Sequence, residues 1–163
     1  MAVEIVPIRE DHIEGFRQCL DGVAKEKCYL IFTEAPPLES VREFVADMIN
    51  KDLPQFVAVE EGTVVGWCDI CPQTRAALSH GGGLGIGLGK AHRHQGLGRK
   101  LMTAALAKAK AVGIERVELA VYETNLNAIR LYESLGFKRE GLKIRFAKID
   151  GAYQNALLMA LFP

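Results

Sequence analysis

The segment Leu84-Gly85-Ile86-Gly87-Leu88-Gly89-Lys90-Ala91-His92-Arg93-His94-Gln95-Gly96-Leu97-Gly98-Arg99-Lys100 runs from an alternating apolar stretch, through a basic glycine-containing turn, into a helical pattern. Its first five residues put aliphatic side chains on one face and leave the other bare. The spacing predicts a strand whose bare face something approaches closely. From Gly96, the residues Leu101, Ala105, Ala109 and Val112 form one apolar stripe of a helix that stops at Gly113. Strand, turn and helix in this order make a parallel crossover, where mixed α/β sheets commonly bind phosphates. The turn suits a pyrophosphate. The first N–H groups of a helix lack internal partners, glycines admit close approach, and the helix dipole contributes about 0.3–1 kcal/mol per favourable charge.

Two common phosphate motifs fail here. A P-loop needs G-x-x-x-x-G-K followed by Ser or Thr, but Leu84 stands at the first glycine position and Ala91 follows Lys90. The dinucleotide fingerprint G-x-G-x-x-G fails because Lys90 follows Gly85-x-Gly87 in the third slot and Leu101 follows Gly96-x-Gly98. A nucleotide hydrolase or dehydrogenase is therefore disfavoured.

Outward from this segment, Val3 to Ile8 reads as a first strand. Asp11 with Glu14 starts a helix carrying Ile13, Phe16, Leu20 and Val23. Tyr29 to Pro37 is a loop, after which Ser40 and Glu43 have capping-box spacing ahead of Val41, Phe44, Val45 and Met48. Gln55 to Val59 and Val64 to Ile70 form a hairpin across Glu61-Gly62, and a loop from Pro72 to Gly82 leads to the glycine strand. Arg116 to Val121 is a strand, and Asn125 caps a short helix stopped by Gly136. Two closing strands, about Phe137 to Ile149 and Ala152 to Leu161, turn at Asp150-Gly151.

The 163 residues, 49% hydrophobic, suffice for one core, and residues 1–163 are expected to form a single domain. Twenty basic residues balance twenty acidic ones without a long like-charge run, which argues against nucleic acid and anionic membrane as partners. Met1 to Arg9 resembles neither a signal nor a transit peptide, and no apolar run reaches membrane-spanning length. A cytoplasmic location is expected. Cys68 and Cys71 form a C-x-x-C, but no second pair completes a zinc set, and their odd spacing in a strand points them to opposite faces. No metal is expected.

Two motifs stand in order. Arg93-His94-Gln95-Gly96-Leu97-Gly98 fits R-x-x-G-x-G between strand and helix. About thirty residues on, Asn125, Ala128, Tyr132, Gly136 and Phe137 fit N-x-x-A-x-x-x-Y-x-x-x-G-F. Together they resemble the GNAT superfamily of N-acetyltransferases, most closely small bacterial members that acetylate amino acids, polyamines or amine-bearing toxins. The resemblance implies an α/β fold with a mixed central sheet of about seven strands and flanking helices. It implies acetyl-CoA as co-substrate. The backbone around Ile86, Gly87 and Leu88 would bind the pantetheine arm and thioester. Arg93, His94, Gln95, Gly96, Leu97, Gly98 and Arg99 would hold the pyrophosphate, Asn125 and Ala128 would adjoin the arm, and Tyr132 would protonate the departing thiolate.

Acetyl transfer needs a neutral amine. Deprotonating a lysine-like amine at pH 7 costs about 4.6 kcal/mol, whereas an α-amino group costs about 1 kcal/mol. Relatives that acetylate ribosomal protein N-termini carry a glutamate five residues before the motif asparagine, where this chain has Ala120. Glu118, Asp69 and Glu34 are the candidate bases or acceptor-binding carboxylates, and the sequence leaves the choice among them open. His92 reads as a solvated loop residue. The leading expectation is acetyl transfer to a small-molecule primary amine. The alternatives are a protein N-terminal or lysine acetyltransferase and a non-catalytic acetyl-CoA-binding regulator. A homodimer would be in keeping with relatives, by analogy alone.

Overall fold

A computed structural model describes residues 2–163, so Met1 lies outside the described residues. In chain order the elements are β1 (Val3–Pro7), α1 (Ile13–Lys25), α2 (Leu38–Asn50), β2 (Gln55–Glu60), β3 (Thr63–Pro72), β4 (Gly81–Leu88), α3 (Leu97–Ala111), β5 (Arg116–Tyr122), α4 (Leu126–Ser134), β6 (Lys138–Ile149) and β7 (Ala152–Leu161). The seven strands form one sheet in the order β1-β2-β3-β4-β5-β7-β6. Every pairing is antiparallel except β4 with β5, joined through α3 as the crossover predicts.

Alternation along the strands divides the core between two faces. On one, Leu101, Met102, Ala105 and Ala109 of α3 and Ile129 and Tyr132 of α4 pack against Cys68, Ile70, Val117 and Met159. On the other, Ile13, Phe16, Leu20 and Val23 of α1 and Val41 and Val45 of α2 pack against Val57, Val64 and Trp67. Adjacent residues Trp67 and Cys68 thus belong to opposite faces, as the period of two requires.

Some local expectations are revised. The first helix begins at Ile13, after a single 3-10 turn over Glu10–His12, in which His12 Nδ1 accepts from the Arg9 N–H at 3.0 Å. The second begins at Leu38 directly after Pro37, so Ser40 lies inside its first turn and does not cap it. Pro37 fixes its own φ at −54°, which leads the chain into the helix without a side-chain cap. β4 extends back to Gly81 because Gly81, Gly82 and Gly83 pair in parallel with Arg116, Val117 and Glu118.

That pairing stops at Gly83, whereas β4 stays in register with β3 as far as the Gly66 and Leu88 pair. Beyond Gly83 the two central strands diverge. The backbone edge of β4 that would face β5 therefore has no sheet partner over Leu84 to Leu88, and this half-buried edge is left to find its hydrogen bonds elsewhere.

Candidate active site

A cavity of about 590 Å³ occupies the divergence. Leu84, Gly85 and Ile86 of β4 line one side, and Leu119, Ala120, Val121 and Tyr122 of β5 line the other. Since the gap perforates the sheet, groups from both faces reach it: Trp67 and Asp69 from the α1/α2 face, Tyr132 and Asn125 from the α4 side. The loop before α2 supplies Tyr29, Leu30, Ile31 and Phe32, α2 supplies Phe44, and β6 supplies Phe146. This loop is tied down at several points. Tyr122 donates its hydroxyl to the Leu30 carbonyl at 3.1 Å, Arg17 Nε donates to the Pro36 carbonyl at 2.8 Å, and the Ala35 N–H donates to Asp21 Oδ1 at 2.9 Å.

The bare face of β4 has a different occupant from the one the glycine alternation suggests. Cross-strand register sets Trp67 opposite Gly87 and Asp69 opposite Gly85. A Cβ at position 87 would lie 2.2 Å from the Trp67 ring, and one at position 85 would lie 3.1 Å from Asp69 Oδ1. The glycines make room for the indole and the carboxylate of the neighbouring strand. An external ligand would meet the edge of β4 rather than its bare face.

Asp69 is buried, and its one side-chain partner is the Cys71 thiol, with Sγ 3.8 Å from Oδ1. Burial raises its carboxyl from the ordinary 3.8 to about 7, opposed only by that weak donor. Gln55 pairs with Asp69 across β2 and β3, and both polar atoms of its buried amide lack partners among the described residues. Burial also pushes the Cys71 thiol up to about 12, which leaves it inert as a nucleophile. Cys68 is buried on the opposite face, and no group of three metal-ligating side chains occurs among the described residues.

The other two candidate carboxylates stand apart from the cavity. Glu118 accepts from Gln73 Nε2 at 3.3 Å and from Arg116 at 3.1 Å, in a surface cluster completed by Glu140. Glu34 is exposed on the loop. Neither lines the cavity, whereas Asp69 is the one charged residue among the described residues that does.

Tyr132 is buried, its ring tilted against Phe137 with centroids 6.0 Å apart. Its hydroxyl has no protein hydrogen bond among the described residues, and burial, with the Cys68 thiol adding a smaller effect, raises its pKa well above the usual phenol value. Such a group keeps its proton until a strong acceptor arrives. Asn125 accepts from the Ala128 N–H at 3.4 Å as the cap of α4, which leaves its amide nitrogen free to donate.

At the turn, His94 and Gly96 adopt left-handed φ of 61° and 79°, and α3 begins without a side-chain cap. Among the described residues, Leu97, Gly98 and Arg99 have no main-chain acceptor for their N–H groups, and the first such bond is from Lys100 to Gly96 at 3.2 Å. This is a nest of free donors at the positive end of a 15-residue helix. Gly98 has a second duty, because a Cβ there would stand 3.1 Å from Leu131 of α4. Gln95 Nε2 turns back to the Ala91 carbonyl at 3.1 Å, and Arg99 donates to Ser134 Oγ at 2.6 Å.

Arg93 departs from its expected place among the pyrophosphate ligands. Its Nε donates to the Leu88 carbonyl at 3.0 Å, both terminal nitrogens engage the Glu26 carboxylate, and the guanidinium lies 4.6 Å from the centre of the Tyr29 ring. The side chain is spent joining the turn to the end of α1. His92 is likewise not a free solvated residue, since its Nε2 lies 2.8 Å from Glu60 Oε2. Sequence reasoning missed Trp67, Glu26 and Tyr122. The first was legible in principle, because Trp67-x-Asp69 runs antiparallel to Gly85-x-Gly87 once the hairpin register is known.

Comparison with known proteins shows what the chain is similar to. The model of the acetyltransferase (GNAT) family matches residues 24–137. The L-amino acid N-acetyltransferase AaaT of Escherichia coli (strain K12) is 32% identical over 109 residues, 66% of this chain and 67% of that protein. The [ribosomal protein bS18]-alanine N-acetyltransferase of Haemophilus ducreyi is 36% identical over 69 residues, 42% of this chain and 48% of its own length. The chain thus spans about two thirds of the first and less than half of the second. A phosphinothricin acetyltransferase from Sinorhizobium meliloti, solved with acetyl-CoA, has a TM-score of 0.91 at 17% identity over 99% of this chain and 89% of that one. At that identity the likeness is one of fold.

Proposed function

This chain belongs to the acetyltransferase (GNAT) family, and on that premise we propose that it transfers the acetyl group of acetyl-CoA to the primary amine of a small molecule, with Asp69 as general base and Tyr132 as general acid. The observation that carries the reading is the cavity at the divergence of β4 and β5, which a buried carboxylate from one face of the sheet and a buried unpaired phenol from the other both line.

The chain's own groups fit the co-substrate. The unpartnered edge of β4 from Leu84 offers the pattern of donors and acceptors that an amide-bearing arm would complete, as an added strand does. The free N–H groups of Leu97, Gly98 and Arg99 suit a diphosphate, with Gly96 allowing close approach. When bound, acetyl-CoA supplies an acyl group activated as a thioester, with a thiolate as leaving group. Asn125 would donate its free amide to the arm, and Ala128 would sit beside it.

Asp69 accepts one proton from the incoming ammonium, which frees the nitrogen lone pair. The C–N bond then forms at the acyl carbon and the C–S bond breaks. Tyr132 donates its proton to the departing sulfur, and the second nitrogen proton returns the phenol to its neutral form. The balance is amide, CoA thiol and one proton released to solvent. A carboxyl with a pKa of about 7 is half-ionised at neutral pH, which suits a base that must take a proton and then shed it.

The test is acetyl-CoA consumption across a panel of amines. Wild type should acetylate at least one small primary amine. Tyr132→Phe should lose about 10–100-fold in kcat, with acetyl-CoA affinity by calorimetry nearly unchanged. Full activity in the folded variant would remove the acid role. Acetylation of peptides or folded proteins alone would overturn the small-molecule reading.

A further inference from the structure

The acceptor end of the cavity has a composition that selects among amines. Tyr29, Ile31, Phe32 and Phe44 are large apolar residues exposed at 38%, 66%, 44% and 36%, and all four line this one cavity. An apolar wall kept open to solvent at a mouth is the signature of a site awaiting an apolar ligand. Further in, the lining carries one negative charge, Asp69, and no positive one.

No cation among the described residues lines the cavity. Arg17 is held by the Pro36 carbonyl, Arg93 is matched by Glu26, and Lys143 sits on the edge strand β6, 5.6 Å from the Phe146 ring. A carboxylate carried into the cavity would meet Asp69 and aromatic faces, with no partner for its charge. A second ammonium, as on a polyamine, would be desolvated against the apolar wall without a second carboxylate. Burying an unpaired charge costs several kcal/mol, whereas each buried methylene is worth about 0.8 kcal/mol.

We propose that the acceptor is a primary amine on an apolar body free of carboxylate, an arylalkyl or branched alkyl amine, rather than an amino acid or a polyamine. This rests on the acetyl-transfer reading above and narrows it. The amine enters as the ammonium, pairs with Asp69, and leaves its apolar body against Phe32 and Phe44.

The experiment compares matched pairs at pH 8: 2-phenylethylamine with L-phenylalanine, isoamylamine with L-leucine, and L-phenylalanine methyl ester as the control that keeps bulk but removes the charge. Spermidine is the polyamine probe. The amine should exceed its amino acid at least about 100-fold in kcat/KM, the equivalent of roughly 3 kcal/mol for an unpaired buried charge. The ester should recover most of the loss. The free amine is the more basic partner, so proton supply works against this ranking and cannot produce it. A cation placed at the mouth, Phe32→Arg, should narrow the ratio at least tenfold. Equal or better turnover of the amino acids, or of spermidine, overturns this inference while leaving acetyl transfer intact. Turnover of no amine at all, with acetyl-CoA still bound, overturns the acetyl-transfer reading and this inference together.

Discussion

Replacing Asp69 with asparagine separates two consequences of burying this carboxylate. An acid whose pKa is raised by folding keeps its proton in the native state where the unfolded chain has already lost it. The unfolded state then binds fewer protons, so stability falls as pH rises through that interval. For Asp69 the interval runs from the ordinary 3.8 to about 7. The whole displacement corresponds to about 4 kcal/mol, of which about 2–3 kcal/mol accrues between pH 5 and pH 8. Asparagine does not titrate, so Asp69→Asn should gain that amount relative to wild type between the two pH values. Any constant cost of the amide cancels in the difference. Urea unfolding of both proteins at pH 5 and pH 8 measures it. In parallel, kcat of wild type should rise with pH through an apparent pKa near 7, and the variant should lose both that limb and at least about 100-fold in rate. A stability difference that is flat with pH would show that the carboxyl titrates normally, and the argument for it as a base tuned by burial would fail with it.

Three further substitutions test other parts of the site. Gly87→Ala puts a Cβ within 2.2 Å of the Trp67 ring, and should cost about 1–3 kcal/mol of stability; unchanged thermal unfolding would refute the packing role. Gly96→Ala meets nothing within 4 Å but strains a left-handed residue, costing about 1–2 kcal/mol. It should weaken acetyl-CoA about tenfold by calorimetry while the fold persists, and unchanged affinity would move the diphosphate away from this turn. Arg93→Met frees Glu26 and Tyr29, so we expect a loss of about 1–3 kcal/mol of stability and a raised acceptor KM. A hundredfold loss of acetyl-CoA affinity in folded Arg93→Met would instead return the guanidinium to the pyrophosphate.

The elements that carry their own periodicity were readable from the chain. The glycine strand, the α3 stripe from Leu101 to Ala109 and the Asp150-Gly151 turn state local geometry directly, and the crossover follows from their order. Of the two motifs, the second contributes Asn125 and Tyr132 to the cavity lining, whereas the turn of the first stands outside that lining, at the start of α3. The start of α2 differs from the reading because Ser40 has capping chemistry, but Pro37 sets the entry angle three residues earlier. Among the three carboxylates, the sequence had no means of choosing. Glu118 and Asp69 both sit on strands, and what separates them is a surface arginine beside one and a desolvating gap beside the other. That difference depends on where two strands stop pairing, which no local pattern encodes. The fate of Arg93 was hidden for a similar reason, since Glu26 lies 67 residues away in sequence.

Trp67 is the chain's one tryptophan, and it is built into the wall of the cavity, 3% exposed and edge-on to Phe16 with ring centroids 5.8 Å apart. The protein therefore carries its single indole fluorophore in the wall of the cavity proposed to take both ligands. Its emission in the free protein comes from one dry environment with no background from other indoles. A ligand that fills the gap changes the polarity and quenching around that ring alone. Titrations of acetyl-CoA and of candidate amines can then be followed in the unlabelled protein, even for an amine that binds without being acetylated.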